Sequence, residues 1–145
     1  MNFAYALGRM LISVVFIWGA LQKLFGIGAF AKLLAGVGVP IPDEVAAYLG
    51  GMPKYEALAW LLASLELICG LMILLGLKAR WGALVLVVFT AGTIFYIHRF
   101  WEMGGAEHAM HQAYALKNLA ILGGLLLIVA AGSGPHSMDR RQPAA

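Results

Sequence analysis

The chain has 145 residues, of which 62% are hydrophobic and 12% charged, with a net charge of +3 and a mean hydropathy of +0.86. The charged share is about half that of an average soluble domain, which excludes an ordinary soluble enzyme and indicates one membrane domain. The cations are scattered and form no basic stripe, so nucleic acid is not expected as a partner.

Four long apolar stretches occupy most of the chain, each about the 20 residues that a helix needs to cross a membrane. They predict an all-α membrane protein, an antiparallel bundle of four transmembrane helices. The first stretch is longer than the apolar core of a signal peptide and lacks an A-x-A cleavage site, so it is expected to remain as helix one. The stretches are Tyr5–Phe25, Ala57–Leu77, Trp81–Trp101 and Tyr114–Gly132.

The connection from Gly26 to Glu56 is too long for a simple turn. Within it, Ala29–Val37 is apolar with one lysine, which predicts a short interfacial helix between helices one and two. Pro40–Pro42 ends that helix, and the acidic pair Asp43–Glu44 favours the start of another. Together with a loop over residues 102–113, the connection forms either a lid over the bundle or a plain connector.

Lysine and arginine near the helix ends predict the topology. With four helices, one side carries Arg9, Lys78, Arg80, Arg140 and Arg141, and the other carries Lys32, Lys54 and Arg99. The positive-inside rule then places both termini in the cytoplasm of a multi-pass protein of the inner (plasma) membrane. Residues 1–135 are predicted to form the transmembrane domain, and 136–145 a polar cytoplasmic tail that frays from Ser137.

Polar residues inside the apolar stretches are the first candidates for a functional site, because a charge near mid-bilayer costs about 3 kcal/mol. Glu66 lies about 13 Å from the start of its stretch, near the midplane, at about 1.5 Å per residue. Small residues mark contact faces of membrane helices, so the faces that carry them are expected to point inward. These faces are Arg9, Ser13, Phe16, Ala20 and Lys23; Ala59, Ala63, Glu66 and Gly70; and Ala113, Lys117, Ala120 and Gly124.

Two interpretations of these polar residues stay open. Lys23, His98 and Lys117 all lie near the outer ends of their helices, and with Glu66 they can converge on one pocket in the outer half of the bundle. Either lysine can instead extend outward to lipid headgroups. Glu66 is too deep for that, and it can form a purely structural ion pair with Lys117 or belong to a functional pocket.

Histidines and the single cysteine carry weaker signals. His108 and His111 stand three residues apart, with Met103, Glu107 and Met110 nearby, which suits either copper or zinc but equally a solvated loop. No metal is assigned. Cys69 is the only cysteine, so a disulfide-shuttling membrane enzyme is excluded, and it is expected to be a packing residue.

Several motifs together resemble the DoxX family of inner-membrane proteins, over essentially the whole chain. The resemblance thins over residues 102–113, so no role is carried onto His108 or His111. The motifs are GALQKLFG at Gly19–Gly26, Leu65–Leu67 with Gly70, the Lys78–Arg80 turn, His98, KNLA at Lys117–Ala120, and Gly134–Arg140.

The resemblance implies the small membrane subunit of a thiosulfate:quinone oxidoreductase or a related redox complex. If the chain is an enzyme, it is then an oxidoreductase subunit acting with quinone. Glu66 and His98 are the expected catalytic residues, and Gln22, Lys23, Lys117 and Asn118 the expected ligand-binding residues.

No flavin, haem or metal ligation pattern is present in the sequence, so electrons are expected from a redox partner subunit. Membrane lipid is a further expected partner, and a homo-oligomer is compatible with the exposed helix surfaces. The alternatives are a membrane protein that binds or transports a small molecule or anion against Lys23 and Lys117, and a scaffold subunit without a ligand of its own.

Overall fold

A computed structural model describes residues 2–42 and 51–139, and these are helical with no strand. The short interfacial helix and the four-helix architecture are confirmed. The expected helix at Asp43–Glu44 lies outside the described residues. The helices are α1 (Asn2–Phe25), α2 (Ile27–Gly36), α3 (Lys54–Leu75), α4 (Ala79–Gly92) and α5 (Gly105–Ala131), with a π-helical turn at Thr93–Ile97 and a 3₁₀ turn at Phe100–Glu102.

Four segments are long and apolar enough to cross a membrane: Phe3–Phe25, Lys54–Leu75, Ala79–Glu102 and Gly105–Ala131. The loop expected over residues 102–113 is wrong, because α5 begins at Gly105. Gly105 adopts a positive φ of 61° at this start, and Glu107 in the first turn favours the positive end of the helix dipole. Residues 105–113 are therefore the first turns of the last helix and not part of a lid.

The helices pack in sequence, α1 along α3, α3 against α4 and α4 against α5, while α1 and α5 have few contacts. We call the end where α1 finishes and α3 and α5 begin the loop end, and the opposite end the tail end. Short α2 lies over the start of α3, with Phe30 and Leu34 against Ala59. The main core contains Phe16, Cys69, Ile73, Leu86, Leu125 and Ile128.

The inward faces expected for α1 and α3 are confirmed, but the one expected for α5 is wrong. Ala113, Lys117 and Ala120 are exposed, and the inward face instead carries Ala115 and three larger residues, Asn118, Leu125 and Ile128. Small residues do not mark the packed face of α5, because α4 brings its own small residues, Ala79, Gly82 and Ala83, into the core. Leucine and isoleucine from α5 then fill the space that these residues leave.

Arg9 fixes the tail end of the bundle. Its side chain is only 1% exposed, and its guanidinium donates to the carbonyl oxygens of Ile73 at 2.7 Å, Leu74 at 3.3 Å and His136 at 3.1 Å. The first two carbonyls belong to the last turn of α3, where the helix dipole is negative. Gly76 follows with a left-handed φ of 66°, and a Cβ there would collide with Arg9 and Ser137.

The polar tail expected to fray from Ser137 is docked as far as Asp139. Ser137 is buried, and the amides of Met138 and Asp139 donate to the carbonyls of Leu75 and Gly76. The Asp139 carboxylate accepts hydrogen bonds from the Lys78 amide at 2.9 Å and from the Ser133 hydroxyl. No sequence pattern predicts this docking, because it depends on backbone carbonyls and amides, which are common to all residue types.

Replacing Arg9 with Met tests this anchor. Arg9→Met removes the three hydrogen bonds that the guanidinium donates to the carbonyls of Ile73, Leu74 and His136. At about 1 kcal/mol each, their loss should make unfolding roughly 3 kcal/mol more favourable. Arg80→Met is the matched control at the same end, since Arg80 is exposed and donates to a single carbonyl, that of Ala130. Thermal unfolding in detergent measures both; equal losses would contradict an anchoring role for Arg9.

Candidate functional site

A buried ion pair joins α1 to α3. The Lys23 ammonium donates to Glu66 Oε2 at 2.8 Å and to the Gly19 carbonyl at 3.3 Å. Its nitrogen also stands 5.7 Å from the ring centres of Phe30 and Phe89. Sequence reasoning correctly placed Glu66 in the interior within reach of Lys23, and of the two lysines expected near it, Lys23 is the partner and Lys117 is not. A Cβ at position 19 would lie 3.1 Å from Glu66 Oε1, so glycine there gives the pair its room.

A cavity of about 780 Å³ lies beside this ion pair. Its walls are mostly apolar, and they come from α1, α2, α3, the end of α4 and α5. The polar side chains that reach it are Gln22, Lys23, Glu66, Thr90, Thr93, Tyr96, His98 and Asn118. Thus five of the six residues predicted for the site line one cavity, and the exception is Lys117.

Lys117 lies outside the cavity wall. Its side chain is exposed, and its ammonium stands 4.7 Å from the ring centre of Tyr114 on the same helix. The neighbouring Asn118 faces inward because one residue along a helix turns the side chain by about 100°. Of Lys117 and Asn118, only Asn118 therefore contributes its side-chain amide to the cavity.

Two polar atoms of the cavity wall have capacity left for a ligand. Thr90 is 3% exposed, and its hydroxyl has no hydrogen-bond partner among the described residues. Glu66 Oε1 likewise accepts no hydrogen bond from them, since only Oε2 is bound by Lys23. Buried polar groups are normally paired, so two free groups on one cavity indicate a place for a polar ligand group. Thr93 differs, because its hydroxyl donates to the Phe89 carbonyl at 3.0 Å.

The cavity opens sideways into the zone that lipid occupies. Val15 on α1 and Val88 on α4 both line it, yet they are 50% and 69% exposed on the outside of the bundle. Val15 lies about 15 Å from the end of α1 and Val88 about 14 Å from the start of α4, so both are near the middle of their spans. A ligand dissolved in the membrane therefore has a direct lateral entrance.

Two histidines meet at the loop end of the cavity. His98 follows the π-helical turn Thr93–Ile97, an irregularity that is frequent at functional sites. Its Nδ1 lies 3.2 Å from Nδ1 of His111, and both rings pack against Tyr114. His108 makes a separate contact, from its Nδ1 to the Phe100 carbonyl at 2.9 Å. The solvated loop expected for His108 and His111 is therefore wrong, since both are half-buried on the first turns of α5.

Sequence reasoning missed three residues of the site. Thr90 is an ordinary residue in an apolar helix, and only the geometry shows that its hydroxyl is unpaired. His111 was set aside as part of a loop, although its place six residues into α5 brings it to His98. Gly19 belongs to the motif GALQKLFG, but nothing in the sequence indicated that a side chain at this position would collide with Glu66. Among the described residues, no three His, Cys, Asp or Glu side chains form a group that could hold a metal ion.

Comparison with known proteins gives the family. The family model described as DoxX matches residues 4–99, about two thirds of the chain, and this region contains Lys23, Glu66 and His98. This chain belongs to the DoxX family. No solved structure matches it.

Relatives of this DoxX protein are similar over nearly their whole length. Inner membrane protein YphA of Escherichia coli strain K12 is 27% identical over 93% of this chain and 87% of its own length. Inner membrane protein YqjF of the same organism is 29% identical over 91% and 86%. The uncharacterized membrane protein Rv3486 of Mycobacterium tuberculosis is 29% identical over 92% and 77%. With its four apolar spans, this DoxX chain is an integral membrane protein.

The ion pair predicts an asymmetric double-mutant cycle. Lys23→Met strands a carboxylate whose side chain is 4% exposed, at about 3–5 kcal/mol, whereas Glu66→Gln costs less because the Lys23 side chain is 26% exposed and can reach water. The double variant should return to within about 1 kcal/mol of wild type, because no charge is left unpaired. Thermal unfolding in one detergent measures all three variants. Additive losses in the double variant would show that the two residues do not depend on each other.

Proposed function

We propose that this DoxX-family protein binds a quinone from the membrane and serves as the quinone-facing subunit of a membrane oxidoreductase complex. The observation that carries the proposal is the cavity: apolar, open sideways at mid-span, and furnished with unpaired hydrogen-bonding groups. A quinone has an apolar ring and tail that partition into lipid, and two carbonyl oxygens that accept hydrogen bonds. A quinone site therefore needs both an apolar cavity open to lipid and hydrogen-bonding groups inside it.

The residues of the cavity fit such a ligand. Its volume of about 780 Å³ lies within the range typical of small-molecule sites, about 300–1,000 Å³. The Thr90 hydroxyl and the Asn118 amide supply donors for carbonyl oxygens, and His98 offers a donor or an acceptor according to its tautomer. Val15 and Val88 line the side through which the tail extends into lipid.

A bound quinone accepts two electrons and two protons when it is reduced to the quinol, and this redox chemistry belongs to the quinone itself. The protein's part is to hold the ring, exclude water and handle protons. Glu66 Oε1 and His98 are the groups at the cavity that can hold or pass a proton. Electrons come from a partner subunit in this proposal, and self-association through the exposed helix surfaces is compatible with it.

The alternative of an anion site has less support. A small anion requires cations with unused charge, but Lys23 is already paired with Glu66 at 2.8 Å. Lys117, the second cation of that interpretation, lies on the outside of the bundle. A scaffold without a ligand leaves the unpaired Thr90 hydroxyl unexplained, because a purely structural core normally satisfies or omits such a group.

Two threonines three residues apart test the proposal. Both line the cavity, but only the Thr90 hydroxyl is unpaired. Thr90→Val should therefore weaken binding of a short-chain ubiquinone about tenfold. This loss is equivalent to one hydrogen bond of about 1.4 kcal/mol. Thr93→Val is the matched control and should stay within about twofold, since its hydroxyl is committed to Phe89. Calorimetry in lipid nanodiscs measures both.

Absence of quinone binding by the wild-type protein would overturn the proposed function. Thiosulfate offered in the same experiment separates the alternatives. Its binding, with loss on Lys23→Met, would establish the anion site instead. If neither molecule binds and none copurifies from native membranes, the scaffold interpretation stands.

The orientation in the membrane belongs to the same proposal. We place the tail end in the cytoplasm, because two exposed cations lie there, Lys78 in the short turn between α3 and α4 and Arg80 in the first turn of α4, and positive charge at such a turn favours the inside. Arg140 and Arg141 add to this charge in the sequence but lie outside the described residues.

Cysteine labelling checks the orientation in a Cys69→Ala background. In intact cells a membrane-impermeant maleimide should label Met52→Cys at the loop end and spare Lys78→Cys until the membrane is opened. Both positions are exposed, so lack of labelling does not come from burial. Labelling of Lys78→Cys alone in intact cells would reverse the orientation.

A further inference from the structure

We infer that His98 and His111 form a two-imidazole proton relay, which leads from the loop end of the bundle into the cavity. In this arrangement His98 is the group that a cavity ligand meets, and His111 stands behind it and exchanges the proton. The inference rests on the proposed function for the identity of the ligand. The pairing of the two rings is observed independently of that ligand.

The geometry assigns different surroundings to the two rings. His98 lines the cavity, while His111 does not. Their Nδ1 atoms are 3.2 Å apart, so Nε2 is the nitrogen of His98 that remains for a ligand. His111 is half-buried about 9 Å from the start of α5, on the loop-end side where the proposed relay takes its proton from water.

An Nδ1-to-Nδ1 hydrogen bond constrains the tautomers. One nitrogen must donate and the other must accept, so two neutral rings joined in this way must be opposite tautomers. If His111 donates, His98 carries its own proton on Nε2 and presents a donor to the cavity. If His98 donates, its Nε2 presents a lone pair. The position of one shared proton therefore decides what the cavity ligand meets.

The proton balance of one relay step follows from this. His98 gives its Nε2 proton to an oxygen of the cavity ligand and receives at Nδ1 the proton that His111 held at Nδ1. His111 takes a replacement from water at Nε2. Both rings end neutral with their tautomers exchanged, and one proton has moved from water to the ligand. No electron passes through the imidazoles, and the reverse sequence returns a proton to water.

Charged and polar side chains of α5 and of the segment around His98 lie near the pair. Lys117 and Tyr114 stand on the same side of α5 as His111, and Tyr114 packs against both rings. Tyr96 precedes His98 in the chain, and Arg99 follows it, paired with Glu102 at 3.2 Å. Two imidazolium rings would both donate at Nδ1 and could not keep the hydrogen bond.

The test uses nitrogen NMR of the full-length protein labelled at its histidines in nanodiscs. Nitrogen shifts distinguish protonated from unprotonated Nδ1 and Nε2, so wild type should show opposite tautomers for His98 and His111. His111→Gln is the informative variant, because its amide can hydrogen-bond to His98 but cannot exchange a proton. His108→Gln is the matched control on the same helix, since His108 contacts Phe100 and not His98.

A second measurement follows proton uptake with a pH-indicator dye when bound short-chain ubiquinone is reduced by the methyl viologen radical cation, whose own oxidation releases no proton. His111→Gln should slow uptake about tenfold or more, in keeping with the 10²–10⁴-fold typical of general acid–base catalysis. Quinone affinity at neutral pH should stay within about twofold, because His111 does not line the cavity. A merely structural His111 would leave the rate unchanged in a variant that keeps the hydrogen bond.

The outcomes separate this inference from the proposed function. Identical tautomers in wild type, or unchanged proton uptake in His111→Gln with quinone still bound, would overturn the relay alone. Opposite tautomers without any quinone binding would overturn the proposed function, while the hydrogen-bonded pair of histidines would be confirmed. Stoichiometric Zn²⁺ binding that shifts both Nδ1 signals would replace the relay with a metal site.

Discussion

A carboxylate and an ammonium group, held 2.8 Å apart inside a membrane bundle, set the constraints on much of this structure. The Glu66 carboxylate in particular needs a partner, because an unpaired buried charge costs several kcal/mol. Their pairing requires α1 and α3 to approach closely, which the small residues Gly19, Ala20 and Ala63 allow. The pair in turn leaves one carboxylate oxygen facing a space that apolar side chains alone would fill.

Different interactions hold the helices together at the two ends of the bundle. At the tail end, Arg9 is neutralised by carbonyl oxygens at the negative end of α3 and by the docked segment that follows α5. Near the loop end, Lys23 is neutralised by a full carboxylate. Between these two fastenings α1 and α5 have few contacts, and the space between the helices persists as the laterally open cavity.

Sequence reasoning identified the residues that are costly to bury without a partner. Glu66 was predictable because its depth leaves only an interior partner, and helical spacing from Arg9 to Lys23 gave the correct inward face of α1. It failed on α5, where small residues were expected to face inward and place Lys117 in the pocket, whereas Asn118 takes that place. Thr90 and His111 were out of reach, because an unpaired hydroxyl and a ring-to-ring contact depend on tertiary geometry that no local pattern encodes.

A membrane site that handles both a quinone and protons faces conflicting requirements, since the first dissolves in lipid and the second only in water. The cavity satisfies the two requirements on different sides. Val15 and Val88 open it toward lipid at mid-span, while His98 closes it at the loop end and stands against His111 near water. The proposed ligand and its protons would thus arrive along perpendicular routes. In the proposed function, the apolar wall around the ring keeps water from following the ligand, and the imidazole pair passes a proton to it without passing a water molecule.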